Sequence, residues 1–517
     1  MKMVKSLILG SAAGLVAMSG AQAADLPVKA KAVEYVRICS LYGAGFYYIP
    51  GTDTCIKLGG YLHAETQFNG LGMTNGPGWN GNAGQNNRLR NYYVSRSRED
   101  LNIDTRTATE YGVVRTFFDA TFTWTSGTDG IAGGSLGVYH AFIQFAGFTM
   151  GKTISQFTSP WGGGPGNNSS YLIGGDDTAT GVGQLAYTAS FGNGVTASIS
   201  LEDQSAYRNS QLFNVSGLAG GVTLPTFGGI APSAAQLAAY QTNWLNGTGP
   251  TAATAQYFGG NSIPDVVGQV RVDQAWGLFQ LAAAAHNIHA GYYDMAREIT
   301  GHPNDVYGFA VQGSLSLKNL PTGAGDSINL DAAFSNGATR YVLGGVSPNN
   351  FSMYGGTTLP GAYQSIGMAT SSDGVFTNGG QIEKTNAWGI RGAFNHNWNP
   401  NWSSSLFGSY TGVSYSTNGK ALFCAGFLAA MPTNGVTTCN PDFNIAQVGF
   451  RTIWTPVTNL SISGEVLWIN LDQKMAGNTG TVSPTASTGI PATKPTAVYE
   501  FKDQNTVVVG FRARRNF

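Results

Sequence analysis

The chain has 517 residues, with 28 basic and 28 acidic side chains and only 11% charged residues. That balance gives no bulk electrostatic reason to bind nucleic acid or an anionic surface. With 72 glycines, 23 tyrosines and 27 phenylalanines beside few strong helix formers, the composition favours sheets and turns.

At the N-terminus, Lys2 and Lys5 precede an apolar run from Leu7 to Met18 that ends at Ala21-Gln22-Ala23. This is the layout of a secretory signal peptide with a small-residue cleavage site. The run is about a dozen residues, short of the roughly 20 that a spanning helix needs. The expectation is export, with residues 1–23 removed and an N-terminal periplasmic segment over 24–54. Without the two lysines, 26 basic residues face 28 acidic ones, a formal charge of −2. No later stretch reaches 18 consecutive apolar positions, so any membrane embedding has to use strands.

The four cysteines fall into two close pairs, Cys39 with Cys55 and Cys424 with Cys439. In an oxidising periplasm two local disulfides are the simplest pairing, although four cysteines allow three connectivities and free thiols stay open at this point. No histidine stands beside either pair at zinc-site spacing, so no metal is expected.

From residue 55 to 517 the dominant signal is period two. In the first case Ile56, Leu58, Leu62, Ala64 and Phe68 alternate with Lys57, Tyr61, His63, Glu65 and Gln67. Val94 to Arg106 repeats the pattern, with Arg96, Arg98, Asp100, Asn102, Asp104 and Arg106 on one parity. In Tyr111 to Thr125, Val114, Phe118, Ala120, Phe122 and Trp124 oppose Arg115, Asp119, Thr121 and Thr123. So many charges on one face do not suit a protein core. Further strands are expected near 137–146, 147–156, 183–191, 194–202, 264–273, 276–286, 307–317, 327–335, 386–397, 401–413, 443–454, 459–470 and 500–517, about sixteen in all.

The connections alternate strictly. Short turns are expected at about 107–110, 146–147, 192–193, 274–275, 318–326, 398–400 and 455–458. Long segments are expected at 69–91, 126–136, 157–182, 203–263, 287–306, 336–385, 414–442 and 471–499. Short turns on one side and long loops on the other predict an all-β, transmembrane, antiparallel up-and-down barrel with both termini in the periplasm. Trp124, Trp276, Trp388, Trp398, Trp402, Trp454 and Trp468 fall near predicted strand ends, where indoles form interfacial girdles. The long loops, rich in Gly, Asn, Ser, Thr and Pro, show no helical period and read as solvated surface.

A sixteen-stranded lumen is wide enough to need narrowing. The third long loop, about 157–182, is the candidate, and its Asp176 and Asp177 are candidate constriction residues; Gly174-Gly175-Asp176-Asp177 is equally good turn chemistry. Arg96, Arg98, Arg106 and Arg115 would form a basic wall and, opposite an acidic loop, set a transverse field. A turn centred between Ala108 and Thr109 would pair Arg98 with Asp119 and set Arg115 near Asn102. His63 and Glu65, and Lys152 from the fifth strand, are expected to add mixed charge to the lumen wall.

No HExxH, G-x-S-x-G, P-loop or Cys-x-x-Cys pattern occurs, so neither an enzyme nor a cofactor is expected. In the last strand Val507, Val509, Phe511, Ala513 and Phe517 share one parity, and the terminal phenylalanine resembles the signal read by the outer-membrane assembly machinery. Arg515 breaks that parity where only a position near the interface tolerates it.

Several blocks resemble a known family, the alphaproteobacterial, rhizobial-type general porins. They are Val36-Arg37-Ile38-Cys39, the run Tyr42-Gly43-Ala44-Gly45-Phe46-Tyr47-Tyr48-Ile49-Pro50-Gly51-Thr52-Asp53-Thr54-Cys55, Gly59-Gly60-Tyr61, Ser95-Arg96-Ser97-Arg98, Thr105-Arg106-Thr107, Thr109-Glu110-Tyr111-Gly112, Gly151-Lys152-Thr153 and Leu185-Ala186-Tyr187-Thr188. The resemblance implies a sixteen-stranded outer-membrane porin, usually trimeric, with the third loop folded inward before a basic wall. It implies passive diffusion of ions and small hydrophilic solutes, and outer-membrane lipid and lipopolysaccharide as surroundings. The fourth long loop, about 60 residues, looks longer than the family's usual one. A substrate-selective channel and a structural or adhesive barrel remain the alternatives.

Overall fold

The computed structural model describes residues 37–69, 86–88, 92–127, 129–168, 172–207, 210–216, 257–293, 298–344, 350–431, 435–482 and 494–517. The expected signal peptide, most of the first long loop and the centre of the fourth lie outside them.

Sixteen antiparallel strands close into a barrel. In chain order they are β1 (Thr54–Phe68), β2 (Tyr93–Thr109), β3 (Gly112–Thr125), β4 (Ser135–Phe145), β5 (Phe148–Thr153), β6 (Val182–Gly192), β7 (Val195–Asp203), β8 (Asp265–Gln274), β9 (Gly277–Ile288), β10 (Val306–Lys318), β11 (Ser327–Asn336), β12 (Glu383–Asn399), β13 (Trp402–Tyr415), β14 (Phe443–Val457), β15 (Leu460–Gln473) and β16 (Gln504–Asn516). Each pairs with the next, and β16 returns to β1 with Tyr61 opposite Asn516, which leaves no open edge.

Burial is inverted relative to a water-soluble core. Leu58, Leu62, Phe118, Phe122, Ile199, Leu281 and Leu406 are exposed, while His63, Glu65, Arg96, Asp100, Gln280 and Gln312 on the opposite parity are buried. An outward apolar face and a polar interior are what alternation gives when the solvent outside is lipid. Trp276, Trp398, Trp402 and Trp454 lie at the short-turn end, Trp388 and Trp468 towards the other, all exposed; Trp402 stacks on Trp454 across β13 and β14.

The short turns force special backbone geometry. Phe145 pairs directly with Phe148, so Ala146 and Gly147 both take positive φ, 49° and 86°. This is the two-residue turn whose twist matches the strands. A side chain at Gly194, φ 72°, would strike the Asp273 carbonyl oxygen.

Both local disulfides are present, Cys39–Cys55 and Cys424–Cys439. The first ties a short segment to the foot of β1, where Tyr47–Tyr48 pairs with Cys55 and Ile56 and the Arg106 side chain lies over the Phe46 ring.

The long loops correct the expectation of solvated surface. Thr417–Ala430 in the seventh loop is an α-helix, capped by the Ser416 hydroxyl, which accepts from the Gly419 N–H at 3.0 Å. Strands Asn350–Gly355, Ala362–Thr370, Val436–Thr438, Ala476–Val482 and Ala497–Phe501 form a separate five-stranded sheet drawn from three loops. Leu172 and Ile173 of the third loop, Phe213 of the fourth, Phe351 and Ile366 of the sixth, Phe423 and Phe427 of the helix and Phe501 of the eighth share one apolar core. Its partners come from five loops, so no single window of sequence shows a period.

Candidate functional site

Lumen-facing side chains follow from register. β2 and β3 pair with Arg98 opposite Thr123, Asn102 opposite Asp119 and Arg106 opposite Arg115. The turn therefore sits at Glu110 and Tyr111, and the expected Arg98–Asp119 pairing is out by four residues. A shift by an even number keeps every side chain on its face, so Arg96, Arg98, Arg106, Arg115 and Asp119 share the inner side.

On that wall the charges are grouped. Glu65 accepts from Arg96 and from Arg512 of β16, with His63 Nε2 at 3.4 Å. Asp104 bridges the facing pair Arg106 and Arg115, at 2.9 and 3.1 Å. Asp119 meets His140 Nδ1 at 2.9 Å. Arg98 donates to the Thr123 hydroxyl and lies over the Tyr139 ring, and Arg514 lies 3.7 Å over the Tyr61 ring. Six arginines on β16, β2 and β3 thus stand with four carboxylates, Glu65, Asp100, Asp104 and Asp119.

The third loop enters the lumen and fastens to the other side. Gln156 N–H donates to Glu202 of β7, Gln280 of β9 donates to the Thr158 carbonyl, and Asn329 of β11 to the Pro165 carbonyl. Ile173 N–H donates to Gln447 of β14, and the Asn168 side chain to Ser463 of β15. At the centre is Arg391 of β12, fully buried, which donates to Asp331 of β11 at 2.8 Å, to the Asp176 carbonyl at 2.7 Å and to the Leu172 carbonyl at 3.1 Å. Asp331 also accepts from Ser159 and Trp161 of the loop.

A closed barrel with a charged inner wall and one loop pinned inside it now has its relatives. The Porin subfamily model matches residues 25–510. The chain belongs to the Porin subfamily. Porin Omp2b of Brucella suis biovar 1 (strain 1330) is 37% identical over 214 residues, covering 38% of this chain and 54% of that protein. Porin Omp2b of Brucella melitensis biotype 1 is 36% identical over the same length and shares. The match spans about half the length of these relatives. Among solved structures, the outer membrane channel DcaP of Acinetobacter baumannii superposes with a TM-score of 0.55 at 15% identity, over 91% of this chain and 99% of that one, which shows the fold. The porin is a multi-pass outer-membrane protein.

Two expectations for this porin's lumen are overturned. Asp176 is fully buried; its carboxylate accepts from Thr158 and from Arg340 of the sixth loop, at 3.1 Å, and its N–H donates to Gln312. Burial pushes the Asp176 and Asp177 carboxyls up, and Arg340 pulls Asp176 back down. Asp177 accepts from the Ala179 N–H two residues on, the turn chemistry its sequence also allowed. The acidic pair is thus consumed in holding the loop, because the short helix Arg340–Leu343 folds in beside it and brings a cation. Lys152 is the second correction: it pairs with Ala141 and Gly183 on the outward parity of Phe148 and Met150, with its amine on the Val138 carbonyl.

Arg391, Asp331 and Arg340 escaped the sequence reading: Asp331 is the one charge on β11, Arg391 stands away from the other charges of β12, Glu383 and Lys384, and Arg340 lies in a long loop with no period. Arg512 and Arg514 stand on the parity that alternates with Phe511 and Ala513, the polar side of the strand whose apolar side leads to Phe517.

Proposed function

We propose that the porin forms a water-filled pore for passive diffusion of ions and small hydrophilic solutes. The observation that supports this best is the third loop pinned to the β7–β15 side of a polar-lined barrel, facing an arginine-rich wall on β16–β3. A fixed constriction of this kind selects by size and charge rather than by capture. Residues 1–23 serve export, the strand ending at Phe517 serves assembly, and the apolar belt meets lipid and lipopolysaccharide. The working assembly is a homotrimer.

Liposome swelling with uncharged sugars of graded size tests the pore. Rates should rise linearly with concentration and fall steeply with sugar size. A second reading, a selective channel, draws on the ring of Tyr61 with His63 stacked at 5.1 Å and Arg514 over it, a surface that suits a planar or sugar ligand. Saturation by one sugar with indifference to the rest would replace the first reading with this one. Absence of swelling would contradict both and favour a structural barrel.

A further inference from the structure

The turns at the short-turn end of the barrel are too brief to reach over the lumen, but the segment upstream of β1 is not. Cys55 lies on the inward parity of β1 with Lys57, His63 and Glu65, opposite in parity to the exposed Leu58 and Leu62. Its disulfide partner Cys39 therefore lies on the lumen side. The Phe46 ring stands against Lys57 Nζ at 5.9 Å and the Arg106 guanidinium at 4.8 Å, and the Tyr42 ring meets the same guanidinium at 5.6 Å. Both cations point inward. A side chain on Gly45, φ 87°, would reach Lys57 Cε at 3.3 Å, so the backbone itself runs along the inner wall. Cys39, Phe46 and Cys55 bury one another.

The segment is also braced internally. Cys39 N–H donates to the Phe46 carbonyl, Tyr48 N–H to the Arg37 carbonyl and Ile49 N–H to the Thr54 carbonyl, at 3.0, 2.8 and 2.9 Å. With Tyr47–Tyr48 paired to Cys55 and Ile56, residues 37–53 fold back as a shelf on the inner face of β1 and β2.

This shelf stands apart from the third loop. Asn168 of that loop meets Ser463 of β15, Ser463 pairs with Arg512 of β16, and Arg512 with Glu65 of β1. Lys57 is eight residues nearer the short-turn end than Glu65, roughly 26 Å along the strand. At this lower level Lys57, Arg106 and Arg115 stand with one carboxylate, Asp104, which pairs across from Lys57 and bridges the two arginines. Lys57 is exposed and among the described residues forms no ion pair. The aromatic rings of the shelf hold its amine and the Arg106 guanidinium at the lumen wall.

We propose that residues 37–53 form a disulfide-held shelf inside the periplasmic mouth, and that Lys57, Arg106 and Arg115 beside it act as a second charge filter, in series with the third loop. This rests on the water-filled pore of the proposed function and adds a second level at which that pore selects anionic solutes. A solute that has passed the third loop meets a narrowed exit with an excess of positive charge, and a low-dielectric wall focuses that field into the remaining water.

Bilayer recording of the full chain tests this with two variants. Lys57→Glu should move the reversal potential in a salt gradient towards cations, by a several-fold change in permeability ratio. Leu41→Cys places a thiol on the exposed side of the shelf, and the four native cysteines, all in disulfides, leave it alone to be labelled after folding. A bulky neutral maleimide there should lower single-channel conductance several-fold, and anionic and cationic thiol reagents should shift the reversal potential in opposite directions. A native permeability ratio in Lys57→Glu would overturn the charge filter. Native conductance from protein that mass spectrometry shows to carry the bulky adduct would overturn the shelf. Unmodified native protein that forms no channel would instead overturn the pore on which both rest.

Discussion

Replacing Arg391 by leucine is expected to loosen the third loop and raise single-channel conductance with a noisy, fluctuating baseline. The substitution strips Asp331 of its cation while both sites stay dry, since the Arg391 and Asp331 side chains are fully buried. Removing one member of a buried pair costs about 3–5 kcal/mol. The carbonyls of Leu172 and Asp176 lose their donor in the same step. The closed ladder of strands does not depend on this arginine, so the loss falls on the loop. Replacing Arg391 and Asp331 together by leucine should recover much of the thermal stability, because no stranded charge is left. The loop should nevertheless stay loose, as Ser159 and Trp161 then lack their acceptor. Thermal unfolding and bilayer recording read the two effects separately. A single variant with native stability and a quiet trace would show that Arg391 does not anchor the loop.

The second large effect concerns charge selectivity. Six arginines against four carboxylates leave the β16–β3 wall with an excess of positive charge, so the native pore should favour anions. Arg96 and Arg115 are weak levers. If Arg96 is lost, Glu65 still has Arg512; if Arg115 is lost, Asp104 still has Arg106. Arg98 and Arg514 are stronger, since among the described residues neither forms an ion pair; they rest on Thr123, Asn516 and two tyrosine rings. Replacing both by alanine should move the reversal potential in a salt gradient towards cations, by a several-fold change in permeability ratio. Replacing Arg96 and Arg115 should move it less. Equal shifts for the two pairs, or none for Arg98 and Arg514, would mean that the constriction lies elsewhere.

The barrel was legible because its signals are local and repeated. Alternation assigned faces, and turn residues such as Asn193-Gly194 marked strand ends, so all sixteen strands lie close to where the sequence puts them. Register was less legible. A hairpin fixes it through one turn, and placing that turn at Ala108 rather than Glu110 displaced Arg98 by four positions while leaving it on the right wall.

The loops were the least legible part, for a physical reason. The fourth, sixth and eighth loops hold strands whose partners lie in other loops or on other barrel strands, and two of those pairings are parallel, Gln211–Asn214 with Ser372–Phe376 and Ala362–Thr370 with Ala497–Phe501. No local pattern announces a partner more than a hundred residues away. The same distance hid Arg340, and with it the fate of Asp176: the carboxylate was visible, its cation was not.

The central claim is that the folded barrel encloses continuous water past the pinned third loop. Single-channel recording of purified, folded protein in planar bilayers tests it most directly. Discrete conductance steps are predicted, with a linear current–voltage relation and a size proportional to salt concentration. Bilayers that stay silent through many insertions of protein whose heat-shifted gel mobility shows a folded barrel would contradict it.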